Sequence, residues 1–131
     1  MLHCDITDKI IASFYQVYNT LGYGFLEKVY ESAMIIELEK ANLHVAQQQN
    51  IKVYYDNQEI GDYFSDILVN NSVILELKSA ETLNEAHKAQ LTNYLKATEM
   101  EVSLLLNFGK KPQFQRIIFT NDRKRGNRTP I

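Results

Sequence analysis

Apolar residues recur at helical spacing in three segments of the chain. The positions that share the first stripe are Ile6, Ile10, Phe14, Val17, Tyr18 and Leu21. They predict a helix over 6–21, and Asp5 or Thr7 is expected to cap it. A second helix is predicted over 25–41, and the same spacing returns over 82–97. The pattern therefore predicts two consecutive helices and a third, isolated one later in the chain.

Shorter apolar segments between and after these helices are typical of β-strands. Segments 51–55, 60–69 and 73–78 are rich in β-branched and aromatic residues, and turn-forming residues separate them. They predict a three-stranded meander. Segment 102–108 is almost wholly apolar, as expected of a strand covered on both faces, and a last strand is predicted over 114–119. The order predicts an α/β fold, in which a crossover helix connects the meander to further strands of a mixed sheet flanked by helices.

Composition and charge fit one globular domain with a basic end. The chain has 131 residues, of which 45% are hydrophobic and 23% charged, and its net charge is −2. From residue 109 onward, seven basic residues and one acidic residue give +6, whereas seven basic and fifteen acidic residues give −8 in the rest. Residues 121–131 lack apolar periodicity, so we expect a domain over 1–120 followed by a basic, disordered tail.

The location of the protein is suggested by what its sequence contains. There is one cysteine, no apolar run of membrane-spanning length, and no signal-peptide pattern in the first residues. A lone cysteine cannot form an internal disulfide, which suits a reducing compartment. We therefore expect a cytoplasmic protein that does not insert into a membrane.

Two acidic residues interrupt the apolar strands of the predicted meander. Glu76 lies within segment 73–78, and Asp66 lies in the segment before it. Burying an unpaired carboxylate is costly, so each needs a compensating partner. Lys78 is two residues after Glu76 and projects from the same strand face. A three-residue turn over 70–72 would pair Asp66 with Glu76 and leave the opposite face wholly apolar, whereas a two-residue turn would separate them; we expect the former.

Two carboxylates and a lysine on one sheet face suit a metal site or a salt bridge. Hard cations such as Mg²⁺ take oxygen ligands, often one or two carboxylates with water. Such an ion can polarise a phosphodiester and activate water, while a nearby ammonium group stabilises developing charge. The alternative is a structural ion pair between Lys78 and the two acids. Spacing alone leaves both interpretations open.

Two motifs in these segments resemble a known group of nucleases. Asp66 followed by Glu76-Leu77-Lys78 resembles the D…(D/E)-x-K signature of the PD-(D/E)XK nuclease superfamily, although Ser65 stands in place of the signature's proline. Segment 24–30 is similar to the G-x-x-E-x-x-Y motif of the GxxExxY protein family, a branch of that superfamily. The resemblance implies a restriction-endonuclease-like core and Mg²⁺- or Mn²⁺-dependent hydrolysis of nucleic acid, with DNA as the expected substrate.

The resemblance also implies a role for each matched residue. Asp66 and Glu76 would be metal ligands, and Glu27 would be the acidic ligand that many members supply from the helix before the sheet. Lys78 would orient or activate the attacking water, or stabilise charge. These four residues would form the catalytic site together with Gln90 and Tyr94 of the third helix.

A further pair matches a motif on the third helix. Gln90 and Tyr94 resemble the Q-x-x-x-Y motif of RecB-like nucleases, and a spacing of four places them on one helix face. Superfamily members of this size often act as homodimers, so self-association is an open expectation. The alternative from a different functional class is a non-catalytic module that keeps the nuclease fold to bind nucleic acid or protein.

Overall fold

The computed structural model describes residues 2–124. Within them, the helices and strands are α1 (Cys4–Leu21), α2 (Glu27–Lys40), β1 (Val45–Tyr55), β2 (Gln58–Val69), β3 (Val73–Lys78), α3 (Glu85–Ala97), β4 (Val102–Phe108) and β5 (Pro112–Ile118). A short 3-10 helix follows over Asn121–Arg123. The element order is the predicted one, and the expected α/β class is confirmed. No helix in this part of the chain is long and apolar enough to cross a membrane.

The five strands form one mixed sheet in the order in which they occur along the chain. β1, β2 and β3 pair antiparallel as a meander, and β4 pairs antiparallel with β5. β3 and β4 are parallel, so the chain must cross from one end of the sheet to the other between them. Helix α3 makes that crossover. The mixed sheet predicted from the sequence is therefore confirmed.

Helices cover both faces of the sheet and create two hydrophobic cores. Apolar residues of α1 and α2 pack on one face, against alternate positions of the central strands such as Leu75 and Leu104. Leu91 and Leu95 of α3 pack on the other face, against Ile74 and intervening positions. The alternation along β3 thus assigns Val73, Leu75 and Leu77 to the first core and points Ile74 at α3.

The start of α1 differs from the sequence-based expectation. The helix begins at Cys4, and His3 occupies the cap position with a left-handed backbone (φ 52°) and no side-chain cap hydrogen bond. The predicted caps are therefore wrong, because Asp5 and Thr7 already lie inside the first turn. The Thr7 hydroxyl instead donates to the carbonyl oxygen of Cys4 at 3.1 Å.

Two other elements begin at residues that differ from those predicted, each for its own reason. Helix α3 begins at Glu85 rather than 82, since the Asn84 side chain accepts from the backbone N–H of His87 and the His87 side chain accepts from that of Asn84. This reciprocal cap gives His87 a structural role. Strand β1 begins at Val45, earlier than the predicted 51, because pairing with β2 incorporates a polar stretch that shows no strand pattern of its own.

The start of the predicted tail lies against the domain. The backbone N–H of Asn121 donates to the Glu101 carboxylate at 2.8 Å. The Lys124 ammonium group donates to the carbonyl oxygens of Thr98 (2.8 Å) and Met100 (2.6 Å). Two residues of the segment predicted over 121–131, Asn121 and Lys124, are thus attached to the connection between α3 and β4. The expected tail over 125–131 lies outside the described residues and stays a prediction.

Candidate active site

The turn between β2 and β3 sets the register of the candidate site. Val69 pairs with Val73, Leu68 with Ile74 and Ile67 with Leu75, which leaves the three residues 70–72 in the turn. Asn70 and Asn71 both have left-handed backbones (φ 51°), as tight turns of this kind need. The predicted three-residue turn is confirmed.

The backbone ladder between β2 and β3 ends one residue before the two acids. Its last pair is Ile67 with Leu75, so the expected pairing of Asp66 with Glu76 is not part of the backbone ladder. Beyond Ile67 and Leu75, hydrogen bonds from the backbone of one strand to the side chain of the other connect β2 and β3.

Asp66 and Glu76 cross-link the two strands where they separate. The Asp66 carboxylate accepts from the backbone N–H of Leu77 at 2.8 Å. In return the Glu76 carboxylate accepts from the backbone N–H of Asp66 at 3.4 Å. Each acid is therefore held by the other's strand, and this reciprocal arrangement brings the two carboxylates together at the end of the sheet.

The neighbouring ladder is also irregular at this point. Gln47 pairs with Ile67 and Gln49 with Ser65, whereas Gln48, between them, has a left-handed backbone (φ 50°). The break reverses side-chain alternation along β2. Ile67 packs with α1 and α2, whereas Tyr63, four residues earlier, packs with α3. Asp66 thus lies where both flanking ladders are interrupted, which is a geometry that frees a strand side chain for chemistry.

The surroundings of the two acids favour their protonated forms. Burial and the adjacent Asp66 carboxylate raise the pKa of Glu76 to about 8, while the Asp66 N–H and the charge of Lys78 oppose the rise. Burial also raises the pKa of Asp66, and the charges of Glu31 and Glu27 add to the effect, whereas the N–H of Leu77 opposes it. Two desolvated like charges cannot both ionise without a compensating cation. Ionising both carboxylates of the pair therefore requires a positive charge close to them.

Lys78 does not neutralise the two carboxylates by pairing with either of them. It is half-buried, and alternation along β3 places it on the same face as Glu76. Lysines elsewhere in the described residues do pair with acids, as Lys40 does with Glu37 and Lys52 with Glu59, whereas Lys78 forms no ion pair there with Asp66 or Glu76. The structural salt bridge between Lys78 and the acids, left open by the sequence, is not formed here.

Glu27 reaches the end of β3 from the first turn of α2. Its carboxylate accepts from the backbone N–H of Ser79 at 3.2 Å and from the Ser79 hydroxyl at 3.5 Å. Ser79 follows Lys78 directly, so Glu27 lies near the site but is not hydrogen-bonded to Asp66 or Glu76. Within residues 2–124, no three His, Cys, Asp or Glu side chains are grouped so that they could hold a metal ion. The expected three-carboxylate ligand set is thus not assembled.

Glu31 is a buried acid that the sequence analysis did not single out. It is one turn after Glu27 on α2, and only 6% of it is exposed. Its carboxylate accepts from the amide groups of Gln47 (2.9 Å) and Gln48 (3.3 Å). Its charge raises the pKa of Asp66. The spacing of four from Glu27 was the signal that could have identified it.

Tyr63 of β2 and Tyr94 of α3 stack on each other on the α3 side of the sheet. Their rings stack with centroids 3.3 Å apart and an interplanar angle of 14°. Burial raises the pKa of Tyr63, and the charges of Glu76, Tyr94 and Asp66 act in the same direction. The Tyr63 hydroxyl is buried and lacks a hydrogen-bond partner within the described residues. Gln90 donates to the Tyr94 hydroxyl at 2.7 Å, so the two predicted α3 residues are hydrogen-bonded to each other, and Tyr94 stacks on Tyr63.

These observations bear on whether the residues suit a divalent cation. A hard cation needs oxygen donors, and Asp66 and Glu76 supply two carboxylates with excess negative charge. The unpartnered Tyr63 hydroxyl offers a further oxygen, directly or through water. Two carboxylates with water are a common set for Mg²⁺. The donor set therefore fits, with Asp66 and Glu76 as its centre and Glu27 beside it.

Comparison with known proteins identifies the family and the fold of this chain. The family model of the PD-(D/E)XK nuclease superfamily matches residues 4–117. The fold is similar to that in the crystal structure of SSO0001, with a TM-score of 0.57 and 16% sequence identity over 73% of this chain and 52% of that chain. The chain thus spans about half the length of that protein. None of the curated proteins matches the sequence. With the family model covering most of its length, this chain belongs to the PD-(D/E)XK nuclease superfamily.

Proposed function

We propose that this protein is a divalent-metal-dependent nuclease that hydrolyses phosphodiester bonds in nucleic acid, with DNA as the expected substrate. The observation that carries the proposal is the pair of carboxylates that Asp66 and Glu76 bring together without a protein cation bound to either. A structural pair of this kind would destabilise the fold unless a cation joined it. Membership of a nuclease superfamily supports the same function.

Each residue of the site would have a different role in the reaction. Asp66 and Glu76 would hold Mg²⁺ or Mn²⁺, which would polarise the phosphodiester and lower the pKa of a water molecule. The Lys78 ammonium group would orient the attacking water or stabilise charge on the phosphate. Glu27 would fix the chain after Lys78 through Ser79. Gln90 and Tyr94 would position the substrate from α3.

Two substitutions in β3 separate a metal ligand from a charge-stabilising group. Glu76→Ala removes a carboxylate ligand, so Mn²⁺ binding and cleavage should both be lost. Lys78→Ala removes a repelling cation, because a protonated amine cannot coordinate a metal. It should keep or strengthen Mn²⁺ binding, while cleavage falls by a factor of ~10²–10³, typical of losing one charge-stabilising group. Calorimetric titration with Mn²⁺ and cleavage of duplex and single-stranded DNA measure the two effects.

The matched control is Glu59→Ala. Glu59 is an exposed acid that pairs with Lys52 at the other end of β2. Replacing Glu59 by alanine should leave metal binding and cleavage unchanged. Equal loss of metal by the Glu76 and Lys78 variants would show that the division of roles is wrong although the metal site exists.

A non-catalytic binding module is the second candidate. It is favoured by the separation of Glu27 from the two other acids, which leaves no three-carboxylate cluster in residues 2–124. In that case the wild-type protein would bind nucleic acid but no divalent ion at millimolar concentration, even with nucleic acid present. That result would contradict the proposed nuclease.

A further inference from the structure

A second concave surface lies next to the proposed nuclease site. It is a cavity of about 400 Å³, within the range of small-ligand sites. One wall is the connection between α1 and α2, which contributes Tyr23, Phe25 and Leu26. The opposite wall includes Ser79, which follows β3, and Lys110, which follows β4. We refer to it as the loop cavity.

The apolar side chains of this wall are exposed. Tyr23 is 57% exposed, Phe25 46% and Leu26 79%. Apolar side chains of this size are stabilised by burial, so a flexible loop would be expected to fold them inward. Single exposed apolar residues are ordinary, whereas neighbouring ones such as these are typical of a contact surface.

The Tyr30 hydroxyl fixes the course of this loop. It donates to the carbonyl oxygen of Gly22 at 2.6 Å and accepts from the backbone N–H of Phe25 at 3.3 Å. Gly22 and Gly24 have φ values of 70° and 108°, which residues with a side chain rarely adopt. The two bonds and the two glycines fix the course of the chain, so the loop presents its rings to solvent.

The opposite wall is also fixed from inside the fold. The Tyr18 hydroxyl lies 2.7 Å from the carbonyl oxygens of both Gly109 and Lys110. The buried Asn107 side chain accepts from the N–H of Ala80 and donates to its carbonyl oxygen, both at 2.9 Å. Both walls are thus formed before any ligand binds, which lowers the entropy lost on binding.

The loop cavity adjoins the proposed site at Ser79, and its lining combines aromatic, basic and acidic residues. Ser79 lines it and also donates to Glu27, while the preceding residue is Lys78. Lys110 lies on the β4 side and Lys111 is exposed beside it, whereas Glu81 lies on the β3 side. A phosphate would therefore lie towards the lysines. Aromatic rings beside basic side chains are the combination that binds unpaired nucleotides, by stacking on the base and contacting the phosphate.

We propose that the loop cavity binds an unpaired nucleotide of the substrate strand, so that the protein prefers single-stranded or frayed ends to blunt duplex. A base inside a duplex is stacked on both faces and cannot offer one to Phe25 or Tyr23. The inference rests on the proposed function for the identity of the ligand as nucleic acid. Binding can nevertheless be tested without cleavage.

The test measures strand preference in EDTA, where metal-dependent cleavage is absent. Fluorescence anisotropy is recorded with labelled oligothymidylate and with a labelled blunt hairpin duplex. The wild-type protein should bind the oligothymidylate more tightly. Phe25→Ala should weaken that binding about tenfold, as expected for the loss of one stacked base, and leave the hairpin affinity unchanged. Phe25→Tyr keeps a ring and should retain the preference.

Further variants control for folding and for charge. Tyr23→Ala provides a second test on the same wall, with melting temperature confirming that each variant folds. Tyr55→Ala removes an aromatic residue that is 66% exposed at the far end of the β1–β2 hairpin, and it should change nothing. Lys110→Gln should weaken binding and reduce the slope of log K against log salt by about 0.7, the share of one phosphate contact on a single strand.

Several outcomes would overturn the inference. They are equal binding of both probes by the wild type, unchanged oligothymidylate binding by both Phe25→Ala and Tyr23→Ala, or a change in oligomeric state of Phe25→Ala in sedimentation without nucleic acid. The last would make this surface an interface between copies of the chain. A strand preference without metal-dependent cleavage supports the inference and contradicts the proposed nuclease, and cleavage without strand preference does the reverse.

Discussion

Glu76 lies in surroundings that are unfavourable for an ionised acid. Val73, Ile74, Leu75 and Leu77 of the same strand are buried and apolar, and the negative charge of Asp66 outweighs the positive charge of Lys78 in its effect on the pKa. Its pKa of about 8 means that the folded protein keeps a proton that an unfolded chain releases near its ordinary pKa of 4.5. Stability and metal affinity are therefore linked at this residue.

The metal-free protein should become less stable as the pH rises from about 4.5 to about 8 because of Glu76. In that interval the folded state binds more protons than the unfolded state, so the free energy of unfolding falls with rising pH. Glu76→Gln removes the titration while keeping an acceptor oxygen. At about pH 8 it should be more stable than the wild type by roughly 1–3 kcal/mol in EDTA. Urea denaturation across this pH range measures the difference.

The control for this experiment is Glu59→Gln, at an exposed acid outside the site. It should follow the wild-type pH dependence. Adding Mn²⁺ should stabilise the wild type and have little effect on Glu76→Gln. A wild-type stability that rises between pH 5 and about 8 in EDTA would mean that Glu76 is ionised in the folded protein without a metal.

At the scale of elements, β4 holds the chain that leaves β3. Lys78 pairs with Asn107 in the parallel ladder, and the Asn107 side chain then binds the backbone of Ala80. Gly109 allows the close approach, since a Cβ there would lie 2.5 Å from the Ala80 carbonyl oxygen. Ser79 is thereby placed for its contact with Glu27. The ends of two parallel strands thus position both the nuclease site and the loop cavity.

Asn107→Ala should lower the free energy of unfolding by about 2 kcal/mol, because it leaves the polar groups of Ala80 without their partner. Asn107→Asp keeps the acceptor for the Ala80 N–H but loses the donor, and introduces a charge at a fully buried position. It should therefore not rescue stability. Asn93→Ala, at an exposed position of α3, serves as the control and should stay within ~0.5 kcal/mol of the wild type. Equal stability of Asn107→Ala and the wild type would contradict this role.

At the scale of the whole molecule, the C-terminal segment stabilises the connection between α3 and β4. Asn121 and Lys124 bind the backbone and the acid of segment 98–101, and the Arg123 guanidinium lies 4.4 Å from the centre of the Phe119 ring. A cation that lies over the face of an aromatic ring is attracted by its π-system, so this contact is favourable. The basic charge that the sequence places in a tail is thus partly used within the fold.

Two truncations test this attachment. Ending the chain after Thr120 removes these hydrogen bonds and the cation–π contact, so the melting temperature should fall by about 3–6 °C. Ending it after Lys124 keeps them all, and because residues 125–131 have no apolar periodicity the melting temperature should stay near that of the full chain. Thermal unfolding followed by circular dichroism measures both. Equal melting temperatures for the two truncations would show that the contacts of Asn121 and Lys124 contribute nothing.

The sequence by itself determined the order of helices and strands and the proximity of Asp66 and Glu76. Helical and strand periodicities are local, because each depends on residues a few positions apart. The register across β2 and β3 was also accessible, since a three-residue turn leaves Leu75 and its alternate neighbours on one apolar face. The sequence could not decide between a metal site and a salt bridge, because periodicity carries no information on whether Lys78 contacts an acid.

Only the tertiary structure revealed Tyr63, Glu31 and the loop cavity. Alternation along β2 assigns Tyr63 to the face opposite Asp66, and the irregularity at Gln48 brings it to the α3 side. Glu31 is buried because α2 packs near the start of β1, where two glutamine amides bind its carboxylate. The loop cavity joins segments that are far apart in the chain. Contacts of this kind are decided by how strands and helices pack together, and packing between distant residues leaves no local period in the sequence.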